Sequence, residues 1–461
     1  MGRLHEKAAA TYNAKLSPLP TRVQFRAMRP LNSDAPQPVK GDTHVVSNYG
    51  PGDIDRDSYR EYSVDHKGKP TACYFYTPRG LAGLSGENHN VLFQVTQRIA
   101  SDRAYRDLLS SKFVYDRCID WLKGKVERPD KTGLDFTDYL DELAGRAIRR
   151  FEVWLPIPVV QIANPFTIGS VTFRRITKEM MDEWAQRLDV SSSTKAEIVF
   201  DKRRSRLQSA TAACVAVEAE PIRGNELALE RAEASIAILR FSCPAILNPY
   251  QWAPVDPSFI DRLGAAIMLH IEDLKILGET NSLDERRLHQ WVLTRKDIDR
   301  HMRTTWGFGH NMLVTERNEF QDLLLGALIH YSRSVLKSDM SERLLYMVTA
   351  LESVFIKDAK ESIIQNLRER MAALAGPTKA DRLKILEAVT EVYDLRSGFV
   401  HRALPVSEMS KLQIFFIGTW STFLFLLNNH NRWRTKSEFL RMVDEHKFSG
   451  PEFSTKGMQP V

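Results

Sequence analysis

The sequence lacks most of the signatures that announce an enzyme class. There is no G-x-x-x-x-G-K-[ST] loop to cradle a nucleotide phosphate, and no G-x-G-x-x-G. The stretch "GFGHNM", Gly307 to Met312, has two of those glycines and lacks the third. H-E-x-x-H and G-x-S-x-G are missing too, which removes the zinc-protease and hydrolase readings. The four cysteines, Cys73, Cys118, Cys214 and Cys243, are far apart and form no C-x-x-C pair, so neither a zinc knuckle nor a disulfide scaffold is indicated. Scattered thiols of this kind suit a reducing compartment. The most apolar run, Ile414–Leu427, is short of the ~20 residues a bilayer demands and reads as a buried core helix. The start, "MGRLHEKAAATYNAKL", has charges where a secretory signal needs an apolar stretch, and Glu6 stands where myristoylation wants Ser or Thr. The expectation is a cytoplasmic protein with no membrane partner.

What is present fits a soluble globular chain: 43% hydrophobic and 26% charged residues. At 461 residues it is too long for one ordinary core. The net charge of +6 fits a polyanionic partner without demanding one. A calcium loop beginning at Asp53 fails on inspection, because Ser58 replaces the turn glycine and Val64 the closing glutamate.

Three segments are expected. Residues 1–60 are proline-rich and read as loosely ordered. Residues 61–315 read as an α+β regulatory or sensor region. Within it, helices are expected over about 90–150, then strands in "FEVWLPIPVVQI", "FTIGSVTFRRI", "AEIVF" and "TAACVAVEAE", a helix over 225–241, and a further strand in "HQWVLT". Residues 316–461 read as an all-α bundle. There, Asp339 with Glu342 and Thr378 are expected caps, Gly376-Pro377 a stop, and Ser407 the cap of the last long helix. The fold class is therefore an α+β N-terminal and middle region followed by a helical C-terminal bundle.

Two places carry chemistry. The basic run Lys202, Arg203, Arg204 and Arg206 follows an expected strand and can grip phosphates, although a solvated strand end explains it as well. The same holds for Arg174 and Arg175. The second place is "YDLRSGFVHR", residues 393–402, at the end of a helix whose apolar positions include Leu383, Leu386, Val389 and Val392. Arg396 and His401 are five residues apart, about 140° around an ideal helix. Convergence on one phosphate therefore needs a bend, and Gly398 is the residue that tolerates one. Such a pair suits cleavage of an RNA phosphodiester. Imidazole, with a reference pKa of about 6.5, can move the 2′-OH or leaving-group proton, and guanidinium can hold the phosphate oxygens. No metal or cofactor is then called for.

The segment from about 341 to 427 resembles the HEPN superfamily, most closely its Apea-like branch. The resemblance rests on "TALESVF" (349–355), "VYDLRSGFVHR" (392–402) and the long apolar helix "LQIFFIGTWSTFLFLL" that follows. It implies a helical bundle whose R-x4-H motif maps onto Arg396, Ser397 and His401. It also implies a metal-independent endoribonuclease that works as a homodimer, with tRNA among the RNA candidates, in toxin or anti-phage systems. Its trigger, phage-derived or a small molecule, is unidentified. Products would carry a 2′,3′-cyclic phosphate and a 5′-hydroxyl. Glu352 is expected beside the motif, with Tyr393 and Arg402 as further supporting groups. Arg402 departs from the glycine this branch often places after the histidine. The rival expectation is a non-catalytic HEPN module that dimerises or binds nucleotide or RNA. Phe415, Phe416, Trp420 and Phe423 are candidates both for a dimer surface and for the bundle core, with the core role expected for most of them.

Overall fold

The computed structural model describes residues 4–26, 43–45, 60–65, 70–78, 80–128, 134–157, 159–187, 200–201, 204, 207–249, 251–256, 267–270, 291–337, 339–358, 360–402 and 412–448, with 43–45, 60–61, 267–270 and 398–402 described by backbone alone. The chain is mixed α/β with a helical C-terminal region. By packing it divides into two compact units: Met1–Arg150 with Glu218–Leu227, and Phe151–Val217 with Ala228–Val461. This partition follows different lines from the three expected segments, since the C-terminal helices share a unit with the middle sheet.

In the first unit, strands β1 (Gln24–Arg26), β2 (Thr43–Val45), β3 (Arg60–Val64), β4 (Pro70–Thr77) and β5 (Gly80–Ser85) form one antiparallel sheet in the order β1-β5-β4-β3-β2. The β4–β5 approach requires a glycine. A Cβ at Gly83 would sit 2.2 Å from the Cys73 carbonyl oxygen. Helices α1 (Glu6–Leu16), α2 (Gly86–Ser101), α3 (Ser111–Glu127) and α4 (Phe136–Ala147) complete the unit. Leu92, Val95 and Ile99 of α2 join Val114, Cys118 and Leu122 of α3 in one core with Phe75 and Leu84 of the sheet. The helices expected over 90–150 are present. The loosely ordered start is corrected over 4–26: Leu16 and Leu19 are buried in that core, because "EKAAATYNAKL" is a good helix former placed just ahead of the prolines. Most of 27–59 lies outside the described residues.

The second unit has a five-stranded sheet in the order β11-β6-β10-β9-β8. Its strands are β6 (Arg149–Ile157), β8 (Phe166–Ile168), β9 (Val171–Arg175), β10 (Thr211–Ala219) and β11 (Ile267–His270). A separate parallel pair joins β7 (Val160–Ile162) to β12 (Trp291–Leu293). Gly169 turns β8 into β9 at φ +60°, a conformation that side chains with a Cβ resist. Except for "AEIVF", the expected strands are found. Residues 196–199 of that segment lie outside the described residues, and Phe200 is helical.

Around this sheet lie α5 (Lys178–Arg187), α6 (Pro221–Arg240, which begins in the first unit), α7 (Arg295–Arg303) and α8 (Thr305–Val314). Trp306 of α8 is fully buried and stacks on Phe166 at 4.8 Å between ring centroids. The helical region follows: α9 (Glu319–Arg333), α10 (Met340–Phe355), α11 (Ile363–Ala375), α12 (Lys379–Arg402), α13 (Leu412–Asn428) and α14 (Lys436–Phe448). The expected caps are formed: Asp339 accepts the Glu342 N–H at 2.9 Å, and the Thr378 hydroxyl accepts the Asp381 N–H at 3.2 Å. The Ser407 cap lies outside the described residues. Phe415, Phe416 and Phe423 are fully buried, and the Trp420 indole N–H donates to the Phe241 carbonyl at 3.2 Å. Phe415, Phe416 and Phe423 thus take the core role expected for most of the four, and Trp420 is half-buried. Among the described residues no helix is long and apolar enough to cross a membrane.

Candidate active site

The site is built on α10 and α12. The buried face of α12 consists of Ile385, Ala388, Val389 and Val392, whereas Leu383, expected on that face, is 52% exposed. This face turns the last described part of the helix so that Tyr393, Arg396 and Ser397 are each half-buried. The Arg396 guanidinium lies 5.7 Å from the centre of the Tyr393 ring, one turn earlier. Its Nε is buried and meets no hydrogen-bond acceptor among the described residues.

From the other helix comes Glu352. It is half-buried, and burial raises its pKa above the ordinary carboxylate value while the positive charge of Arg396 pulls it partly back. Two helices thus bring a carboxyl and a guanidinium into one electrostatic environment at the motif. Tyr393 supports the arginine from below.

The expected bend at Gly398 is not formed. Helix α12 runs through Gly398 to Arg402 without interruption. Positions 396 and 401 therefore remain about 140° apart around the axis, with a rise of about 7.5 Å between them. Glycine permits a break and does not impose one, and the backbone hydrogen bonds of the last turns keep the helix going. The side chains of His401 and Arg402 lie outside the described residues.

The basic run is distant in character from this site. Arg204 is held in the fold, ion-paired to Asp182 at 2.5 Å and lying 5.6 Å from the Phe200 ring centre. Lys202, Arg203 and Arg206 lie outside the described residues. Arg174 pairs with Glu152 at 3.4 Å near the end of β9, as a solvated strand end would.

Two buried arginines escaped the sequence reading. Arg343 of α10 is 1% exposed and donates to four backbone carbonyls, those of Ala245, Asn248, Pro249 and Gln251. Its charge has burial against it, which pushes its pKa down to about 10. It also lies 4.9 Å from the centre of the Phe416 ring. Arg370 of α11 is held by Glu361 and Asp444. Burial alone would lower its pKa, but the two carboxylates outweigh burial and raise it. Both arginines fasten the scaffold beneath α10 and α12. A helix-interior arginine among leucines was the only signal for either, and it does not separate a buried clamp from a surface charge.

Among the described residues no group of three or more His, Cys, Asp or Glu is arranged to hold a metal ion. All four cysteines are buried and none forms a disulfide, and burial raises the thiol pKa of Cys118, Cys214 and Cys243. Comparison with protein-family models, curated proteins and solved structures finds no match to this chain.

Proposed function

We propose that the chain is a metal-independent endoribonuclease of the HEPN type, with Arg396 and His401 as its catalytic pair. The observation that supports this reading is that the charge of Arg396 on one helix acts on the half-buried Glu352 of another, at the R-x4-H motif. A buried guanidinium nitrogen with no acceptor among the described residues, within electrostatic reach of a carboxyl whose pKa is raised, is the kind of perturbed cluster that functional sites concentrate.

In this reading Arg396 holds the non-bridging phosphate oxygens and stabilises the charge that grows on them. His401 takes the 2′-OH proton or returns one to the 5′ leaving oxygen. The attack of the 2′ oxygen on phosphorus breaks the P–O5′ bond and leaves a 2′,3′-cyclic phosphate and a 5′-hydroxyl. Glu352 orients the arginine, and Ser397 and Tyr393 limit its freedom. The straight helix supports a shared site, in which Arg396 of one copy and His401 of a second serve one phosphate across a two-fold interface. The class of RNA, tRNA included, and a role as a growth-arresting toxin or anti-phage effector in the cytoplasm belong to the same proposal.

The test is digestion of bulk tRNA by the full-length protein in excess EDTA. Wild type is expected to cleave, and Arg396→Ala and His401→Ala are each expected to lose about 10²–10⁴ in rate while melting like wild type. Folded variants as active as their parent would move the chemistry elsewhere and leave the pair to a binding module.

A further inference from the structure

The second compact unit contains a cleft of about 450 Å³, a volume in the range of small-molecule sites, and among the described residues no motif residue lines it. Its charges are sorted by element. Helix α6 contributes Glu230 and Glu233, one turn apart. The end of α9 and the turn after it contribute Arg333 and Lys337, also one turn apart. Tyr346 of α10 stands beside them, with the Lys337 ammonium 5.6 Å from its ring centre. The most buried part of the lining is fixed: Arg240, 2% exposed, is ion-paired to Asp256 and donates to the Val255 carbonyl.

Across the cleft Arg333 and Glu233 form an ion pair. Their side chains are 37% and 39% exposed, so water screens the contact and it holds the walls together only weakly. Lys337 makes a further exposed pair with Glu342, outside the lining, at 3.0 Å. Among the described residues, three acidic and three basic groups line the cleft. A purely anionic ligand would meet Glu230, Glu233 and Asp256, and a purely cationic one would meet Arg333 and Lys337. A molecule carrying both charges satisfies both walls and replaces one screened pair by two charge-assisted contacts.

We propose that this cleft binds a small zwitterion of the amino-acid or dipeptide class. Its carboxylate is taken by Arg333 and Lys337, its ammonium by Glu230 and Glu233, and its apolar part lies against Leu336 and Tyr346.

The test is isothermal titration of the full-length protein with the common L-amino acids and a set of dipeptides, alongside AMP and spermidine. At least one zwitterion is expected to bind saturably. Its N-acetylated form, which lacks the ammonium, is expected to bind at least about tenfold more weakly. Glu230→Gln and Lys337→Gln, both folded by circular dichroism, should each weaken binding by a similar factor. The proposal is overturned if no zwitterion saturates the protein at millimolar concentration, or if AMP or spermidine binds in preference. Affinity indifferent to N-acetylation or to both substitutions also overturns it. None of these readouts depends on RNA cleavage.

Discussion

Glu352 makes the sharpest residue-scale test because its cost to the fold has a sign. Burial is the dominant influence and raises its pKa above the ordinary 4.5, with Arg396 opposing. In the unfolded chain the carboxyl titrates normally, so the folded protein holds the proton more tightly. The stability this contributes is fully present below about pH 4.5 and is lost as pH rises through the folded pKa. Glu352→Gln keeps the neutral shape at all pH values. It is therefore expected to melt higher than wild type at pH 7–8, with the difference closing below about pH 4.5, while RNA cleavage falls. Melting curves across that range decide it; a variant less stable than wild type at pH 8 would mean that attraction to Arg396 outweighs burial. At this scale the R-x4-H spacing could be seen in the sequence, but Arg and His are common in the last turn of helices, so the reading rested on the resemblance. The proximity of Glu352 to Arg396 came from the resemblance, since nothing in local spacing places residue 352 near residue 396. Arg343 was not legible at all. Its partners are backbone carbonyls about a hundred residues away, and carbonyls leave no mark on a sequence.

At the scale of elements, periodicity served well where one face is buried and turn residues mark the ends. Helix α10 has the expected Asp339 cap, and its Leu344, Val348, Leu351 and Phe355, spaced three or four apart, are all buried. The strands β8 and β9 fall within the expected segment "FTIGSVTFRRI", with Gly169 at the turn between them. The β4–β5 hairpin was missed because "TACYFYT" buries residues on both faces, so it lacks the alternation that marks a half-exposed strand. The break at Gly398 was expected from what glycine permits, and the helix's own backbone hydrogen bonds kept it whole. Two other helical glycines separate permission from need. A Cβ at Gly326 of α9 meets nothing within 4 Å, so Gly326→Ala is expected to stabilise by about 0.5–1 kcal/mol through backbone entropy. A Cβ at Gly309 of α8 would lie 2.4 Å from Ile238 Cγ2, a stiff β-branched side chain, and Gly309→Ala is expected to cost about 1–3 kcal/mol. Urea denaturation of the two variants checks the contrast. Equal effects would mean that the α6–α8 contact yields more easily than its geometry implies.

At the scale of the whole molecule, the proposed dimer turns on α12. Phe415, Phe416 and Phe423 are buried within the chain's own core, and the proposal has two copies meet at the motif-bearing end of α12. If Arg396 of one copy serves His401 of the other, mixing Arg396→Ala with His401→Ala protein creates heterodimers with one intact site and one site lacking both groups. Half the dimers then carry half the sites, so the mixture is expected to recover about a quarter of wild-type activity. Specific activity should also fall on dilution below the dimer dissociation constant. A mixture as inactive as its parents, after verified subunit exchange, would place both groups of a site in one chain. This level of organisation was the least legible: composition at 461 residues predicts several domains, but no composition shift marks the places where the chain crosses between its two compact units.

The most direct measurement is the chemistry of the cut ends. Full-length protein is incubated with RNA in saturating EDTA, and the fragments are analysed for their termini. The account predicts 2′,3′-cyclic phosphate and 5′-hydroxyl ends, lost with His401→Ala and lost when the nucleotide before the cut carries a 2′-deoxy sugar. Fragments with 5′-phosphate and 3′-hydroxyl ends, cleavage of the 2′-deoxy substrate, or activity restored only by magnesium or manganese would contradict it.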